Sequence, residues 1–71
     1  MSEFEQYLVE RSVTALELSI VARVRYLTVW NAMKGKPIAA DQADHLRKTA
    51  QEMTGVPYIG PLVVSADQPI E

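Results

Sequence analysis

The stretch "TALELSIVARVRYLTVWNAMKG", residues 14–35, decides the fold of this chain. It begins with Thr14 and, three positions later, Glu17, which is the spacing of a capping box. In that device a hydroxyl accepts from an N–H of the first helical turn, and a carboxylate reaches back to the amide of the cap. It closes with Gly35, a residue that readily takes the left-handed conformation in which helices end. The stretch therefore predicts two short helices, the first ending near Ala22, joined by a tight turn.

Two further helices flank this pair. Residues 2–11 repeat the capping-box spacing with Ser2 and Glu5 ahead of apolar positions at helical intervals. Residues 39–55 carry one apolar stripe and stop at a glycine. The stripe consists of Ala43, Leu46, Ala50 and Met53. We therefore predict an all-α protein, a compact bundle of four to five short helices.

The composition changes after Gly55. Three of the four prolines lie beyond it, at Pro57, Pro61 and Pro69. These prolines forbid a continuous helix through this part of the chain. The apolar run 62–64 could form a strand, but it would have no second strand to pair with. We expect a helical domain over 1–56 and an irregular, proline-containing C-terminal tail over 57–71. The tail either packs back over the helices as a lid, pairs with another copy as a dimerisation segment, or is flexible.

Length and composition argue against several functional classes. A chain of 71 residues forms at most one small domain, and the absence of cysteine excludes disulfides and thiolate sites. His45 is the only histidine, and no Gly-rich phosphate loop or metal-ligand set is present. We expect no enzyme activity, cofactor, metal or small-molecule substrate. The acidic start and the short apolar runs predict no membrane span and a cytoplasmic location.

Charge is distributed unevenly along the chain. The formal net charge is -2, yet residues 18–40 contain no Asp or Glu and have a charge of +4, against -6 for the remainder. The four cations are Arg23, Arg25, Lys34 and Lys36. At physiological salt the screening length is about 8 Å, so a local patch of this kind attracts a polyanion despite distant acids. The alternative is an ordinary solvated face on which cations happen to cluster.

The spacing in residues 14–35 resembles the helix-turn-helix of the lambda-repressor-like class, the XRE family. The matching positions are Thr14, Glu17, Leu18, Ser19, Ala22, Val24, Thr28, Val29 and Gly35. Residues 36–56 are similar to that family's next segment, a basic proline-bearing loop and an amphipathic helix. Where the family's turn usually has glycine, this chain has Arg23. Either the turn is built differently or Arg23 is mildly strained.

The resemblance also implies which side of the second helix faces outward. It directs Thr28, Val29 and Ala32 inward. It turns one face outward, formed by Tyr26, Leu27, Trp30, Asn31 and Lys34. The alternative, from helical spacing alone, is that Tyr26, Val29, Trp30 and Met33 form the buried stripe.

The function that this resemblance implies is sequence-specific binding of double-stranded DNA by a small transcriptional regulator. The helix at about residues 25–34 would enter the major groove. The phosphate-binding cations would be Arg23, Arg25, Lys34 and Lys36. Thr28 and Tyr26 would fix the helix on the backbone, and Leu27, Asn31 and Trp30 would meet base edges.

More apolar surface is expected than this function requires. Leu16, Ile20 and Val21 fall at positions that are often polar in the family. A homodimer would bury them, or the tail would cover them through Val56, Tyr58, Ile59 and Leu62. The alternative function is that of a protein–protein interaction module on the same fold, which binds its partner through the face formed by Tyr26, Leu27 and Trp30.

Overall fold

The computed structural model describes residues 2–65, so the last part of the predicted tail, residues 66–71, lies outside the described residues. The helices are α1 (Glu3–Glu10), α2 (Ala15–Ala22), α3 (Tyr26–Met33) and α4 (Ala40–Thr54). The predicted all-α bundle of short helices is confirmed. Across residues 2–65, no helix is long and apolar enough to cross a membrane.

Side-chain caps fix where the first two helices begin. The Thr14 box is complete: its hydroxyl accepts from the Glu17 N–H at 3.1 Å, and the Glu17 carboxylate accepts from the Thr14 N–H at 3.1 Å. At α1 the Ser2 hydroxyl accepts from the Glu5 N–H at 3.1 Å, while the Glu5 carboxylate lies 3.6 Å from the ammonium of Lys34. The expected start of α1 is therefore correct, but the Glu5 carboxylate forms an ion pair with Lys34, a residue distant in sequence.

Each helix is followed by a residue in the left-handed conformation. These are Ser12, Arg23, Gly35 and Gly55, with φ of 59°, 60°, 76° and 77°. After α2 this conformation lets the Val24 N–H donate to the Ser19 carbonyl at 3.1 Å, the bond that closes a Schellman ending. Arg23 thus occupies a conformation that glycine adopts more readily. For a residue with a Cβ this costs roughly 1–2 kcal/mol, so the strained alternative is the correct one.

All four helices contribute to one apolar core, and α3 contacts each of the other three. The fully buried large side chains of this core are Phe4, Leu8, Leu18, Val29 and Leu46. Ser19 is also buried where α2 meets the bundle, and its hydroxyl donates to the Leu16 carbonyl at 2.7 Å. A small, internally bonded side chain at this position allows the helices to approach closely.

The described part of the tail packs back on the bundle. Tyr58 is 7% exposed, and its ring lies 5.0 Å from that of Phe4 and 5.2 Å from that of Tyr7, centroid to centroid. Arg47 donates to the Tyr58 carbonyl at 3.0 Å. Further along, an isolated parallel bridge joins Ile38 to Val64, so the apolar run 62–64 finds a single pairing residue rather than a sheet.

The phenol of Tyr58 is held in its neutral form. Its hydroxyl donates to the Pro61 carbonyl at 2.7 Å. Burial, and secondarily the Glu3 carboxylate, raise the pKa of Tyr58 above its ordinary value, while the Arg47 guanidinium lowers it in part. The tail is therefore anchored by an aromatic residue that favours the protonated state.

Candidate nucleic-acid interface

The inner and outer sides of α3 differ sharply in burial. Val29 and Ala32 are buried against the other helices, whereas Tyr26 is 51% and Leu27 53% exposed. Trp30 is half-buried. The expected outward face is therefore exposed at Tyr26 and Leu27 and half-buried at Trp30 and Asn31. Of the alternative stripe, Val29 is buried and Met33 packs against the core, but its assignment of Tyr26 to the buried side is wrong.

Two arginines flank this face at its N-terminal end. Val24, in the turn between α2 and α3, packs partly into the core, while Arg23 and Arg25 on either side of it are exposed. The ion pairs that form among residues 2–65 involve neither arginine. Both positive charges are therefore available to an external anion.

The first turn of α3 adds backbone donors beside these arginines. Arg25 is the N-cap residue, and no side chain caps this end of the helix. The N–H groups of the first helical residues, Tyr26 and Leu27, have no carbonyl partner within the helix. Together with the helix dipole they give the region a partial positive charge, which favours an anion such as phosphate.

At the opposite end of the face, two lysines surround the half-buried tryptophan. The Trp30 ring centroid lies 5.1 Å from the Lys36 ammonium and 5.8 Å from that of Lys34, within cation–π range. The charge of Lys34 is offset by Glu5 of α1. The sequence did not predict the ion pair between Glu5 and Lys34, because residues 18–40 contain no acid and Glu5 is distant from Lys34 in sequence.

The polar residues of α3 are only partly accessible. Asn31 and Thr28 are both half-buried. The backbone carbonyl of Asn31 accepts from the N–H of Lys36 at 2.8 Å. Within the described chain, however, its side-chain amide has no hydrogen-bond partner, so this amide is available for a ligand.

The outer face of α2 is apolar and uncovered by the described part of the tail. Ile20 is 66% exposed, and Leu16 and Val21 are each more than half exposed. Tyr58 instead packs against α1 and α4, on other surfaces of the bundle. The alternative in which the tail covers these α2 residues is therefore wrong for the tail as far as Ser65.

His45 fixes the end of α2, a role that sequence analysis missed. The side chain is exposed, as expected, but its Nε2 lies 2.6 Å from the Ala22 carbonyl, one of the unpaired carbonyls at that end. This contact joins α4 to the residue that precedes Arg23. It helps to hold the turn in which both arginines lie.

Comparison of the chain with protein-family models, with curated proteins and with solved structures gave no match.

Proposed function

We propose that this protein binds double-stranded DNA in a sequence-specific manner as a small transcriptional regulator, without catalytic activity, and that α3 enters the major groove. The observation that carries the proposal is the composition of one exposed surface. The outward side of α3 is free of acidic residues, and unpaired arginines lie at the turn that leads into it. A major groove admits one helix of this kind between two rows of phosphates.

The residues have distinct roles in this proposal. Arg23 and Arg25 contact phosphates on one side of the groove, and Lys36 does so at the far end of α3. Lys34 contributes less, because Glu5 offsets its charge. Tyr26 and Thr28 bond the sugar–phosphate backbone. Trp30, Leu27 and Asn31 face the base edges.

The left-handed Arg23 supports the same reading. A glycine in this position would avoid a strain of roughly 1–2 kcal/mol. A strained residue maintained by the surrounding structure is often found at a functional site. Here the strained residue supplies a cation at the turn, where the proposed DNA backbone passes.

Charge removal tests the proposal. We expect the double variant R23Q/R25Q to bind duplex DNA more weakly and with a salt slope reduced by about 1.8, since each phosphate contact contributes about 0.9 to it. The matched control is K48Q, which removes an exposed cation from α4 outside the proposed surface. Binding that is equally weakened by K48Q, or unaffected by R23Q/R25Q, would contradict the proposal.

A second candidate is a protein–protein interaction module that uses the Tyr26, Leu27 and Trp30 face, or a homodimer that buries the outer face of α2. The exposed Leu16, Ile20 and Val21 favour it, because clustered apolar surface marks interfaces. Apolar association does not weaken as salt rises, whereas phosphate binding does. Sedimentation of the wild type and of I20D over a range of concentrations and salts distinguishes the two. A dimer that persists at high salt, is lost in I20D and does not bind duplex DNA would favour the second candidate, whereas a dimer that binds duplex DNA is compatible with the proposed function.

A further inference from the structure

The outward face of α3 has an unusual chemistry for a helix that reads DNA. Residues 26–33, "YLTVWNAM", contain no Arg, Lys, Gln, Asp or Glu. The accessible groups at the centre of the face are the exposed Leu27 side chain and the unbonded amide of Asn31. This set of groups restricts which base pairs the helix can recognise.

Each base pair shows a different pattern in the major groove. Guanine presents two acceptors that are read best by Arg or Lys, and cytosine presents a donor that is read by Asp or Glu. Adenine offers a donor and an acceptor that match the amide of Asn or Gln, and thymine offers a methyl group to apolar side chains. An aliphatic side chain together with one amide therefore complements an A·T pair.

The cations near α3 lie at its two ends rather than at the centre of its outward face. Arg23 and Arg25 precede the helix, in and beside the turn. At the other end, the Lys34 ammonium lies 3.6 Å from Glu5, and that of Lys36 lies over the Trp30 ring. The centre of the face consequently lacks the Arg or Lys donors that read guanine best.

We propose that α3 reads A·T base pairs, with Leu27 against a thymine methyl and the Asn31 amide paired to the N6 and N7 edge of adenine. This inference rests on the proposed function. The two residues are four positions apart, a rise of about 6 Å along the helix, while base pairs rise by about 3.4 Å. Leu27 and Asn31 therefore contact base pairs within two steps of each other, and the preferred half-site contains a short A·T tract.

Base analogues test this without altering the protein. Four alternating duplexes of equal length are compared by fluorescence anisotropy at low salt: (dA–dT)n, (dA–dU)n, (7-deaza-dA–dT)n and (dG–dC)n. Uracil lacks the thymine methyl, and we expect about fourfold weaker binding from the loss of one buried methyl. Deaza-adenine lacks N7, and we expect about fivefold or greater weakening from the loss of the paired contact. The (dG–dC)n duplex should bind more weakly than (dA–dT)n.

Variants then assign each effect to a residue. L27A should bind the thymine and uracil duplexes equally, and N31A should bind the adenine and deaza-adenine duplexes equally. I59A is the matched control, because Ile59 is 90% exposed and belongs to the tail rather than to α3, and it should preserve both differences. Circular dichroism verifies that each variant is folded.

The outcomes separate this inference from the proposed function. Salt-sensitive binding with no difference between thymine and uracil, or with (dG–dC)n bound as tightly as (dA–dT)n, overturns the A·T reading and leaves DNA binding intact. Guanine preference that disappears in R25K would assign base reading to Arg25 instead. No salt-dependent binding to any duplex overturns both.

Discussion

Replacing Arg23 by glycine should stabilise the protein while weakening its binding to DNA. Arg23 has φ 60° and ψ 43°, a left-handed conformation that costs a residue with a Cβ roughly 1–2 kcal/mol. Glycine removes this cost but loses about 0.5–1 kcal/mol more backbone entropy on folding. The net gain is about 0–1.5 kcal/mol, and its midpoint of about 0.75 kcal/mol corresponds to a rise in Tm of roughly 3–6 °C for a domain of this size.

The functional effect of the same substitution has the opposite sign. R23G removes one phosphate-binding cation, so the slope of log affinity against log salt should fall in magnitude by about 0.9. Thermal unfolding by circular dichroism gives the stability. Anisotropy of labelled duplex DNA at several salt concentrations gives the slope.

Two variants provide matched controls. S12G relieves the other left-handed residue that is not glycine, φ 59°, in the loop between α1 and α2. It should raise the Tm comparably and leave DNA binding unchanged. R23K retains both the strain and the charge, so it should resemble the wild type in both assays. If R23G lowers the Tm, the assigned turn conformation is refuted. An unchanged salt slope would refute the phosphate contact.

Three further predictions concern the tail and the Lys34 pair. Y58A should destabilise the fold by about 3–5 kcal/mol in urea unfolding, the usual cost of truncating a buried aromatic residue, whereas I59A should cost less than about 0.5 kcal/mol. The pKa of Tyr58 is raised in the folded state, so the unfolded chain loses this proton first as the pH rises. The contribution of Tyr58 to the free energy of unfolding should therefore be constant below pH about 10 and decrease above it. Y58F should reduce that decrease. E5Q should free Lys34 and steepen the salt slope of DNA binding by up to about 0.9, whereas E10Q should not.

The helices follow from local signals in the sequence. The Thr14 box and the glycine after α4 act over a few residues, so their spacing predicts the helix ends correctly. Arg23 shows the limit of such signals. The residue type argues against a left-handed turn, but the packing of Val24 and the bond from His45 to Ala22 help to hold the turn in place. A tertiary contact of that kind has no signature in the local pattern.

The candidate surface was predictable in its direction but not in its electrostatics. Tyr26 and Leu27 are exposed, as the family resemblance implied, whereas helical spacing alone placed Tyr26 in the buried stripe. The pairing of Glu5 with Lys34 and the packing of Tyr58 against α1 join distant parts of the chain. Neither contact follows from periodicity, because each depends on how the helices are arranged in space.

The most direct test of DNA binding is a titration of the wild-type protein with labelled random-sequence duplex at about 50 and 200 mM salt, with Trp30 emission recorded in parallel. With three to four phosphates neutralised, the affinity should fall roughly 40- to 150-fold between the two salts, and the duplex should change the emission of the half-buried Trp30. Absence of binding at the lower salt, with Trp30 emission indifferent to DNA, would contradict the account.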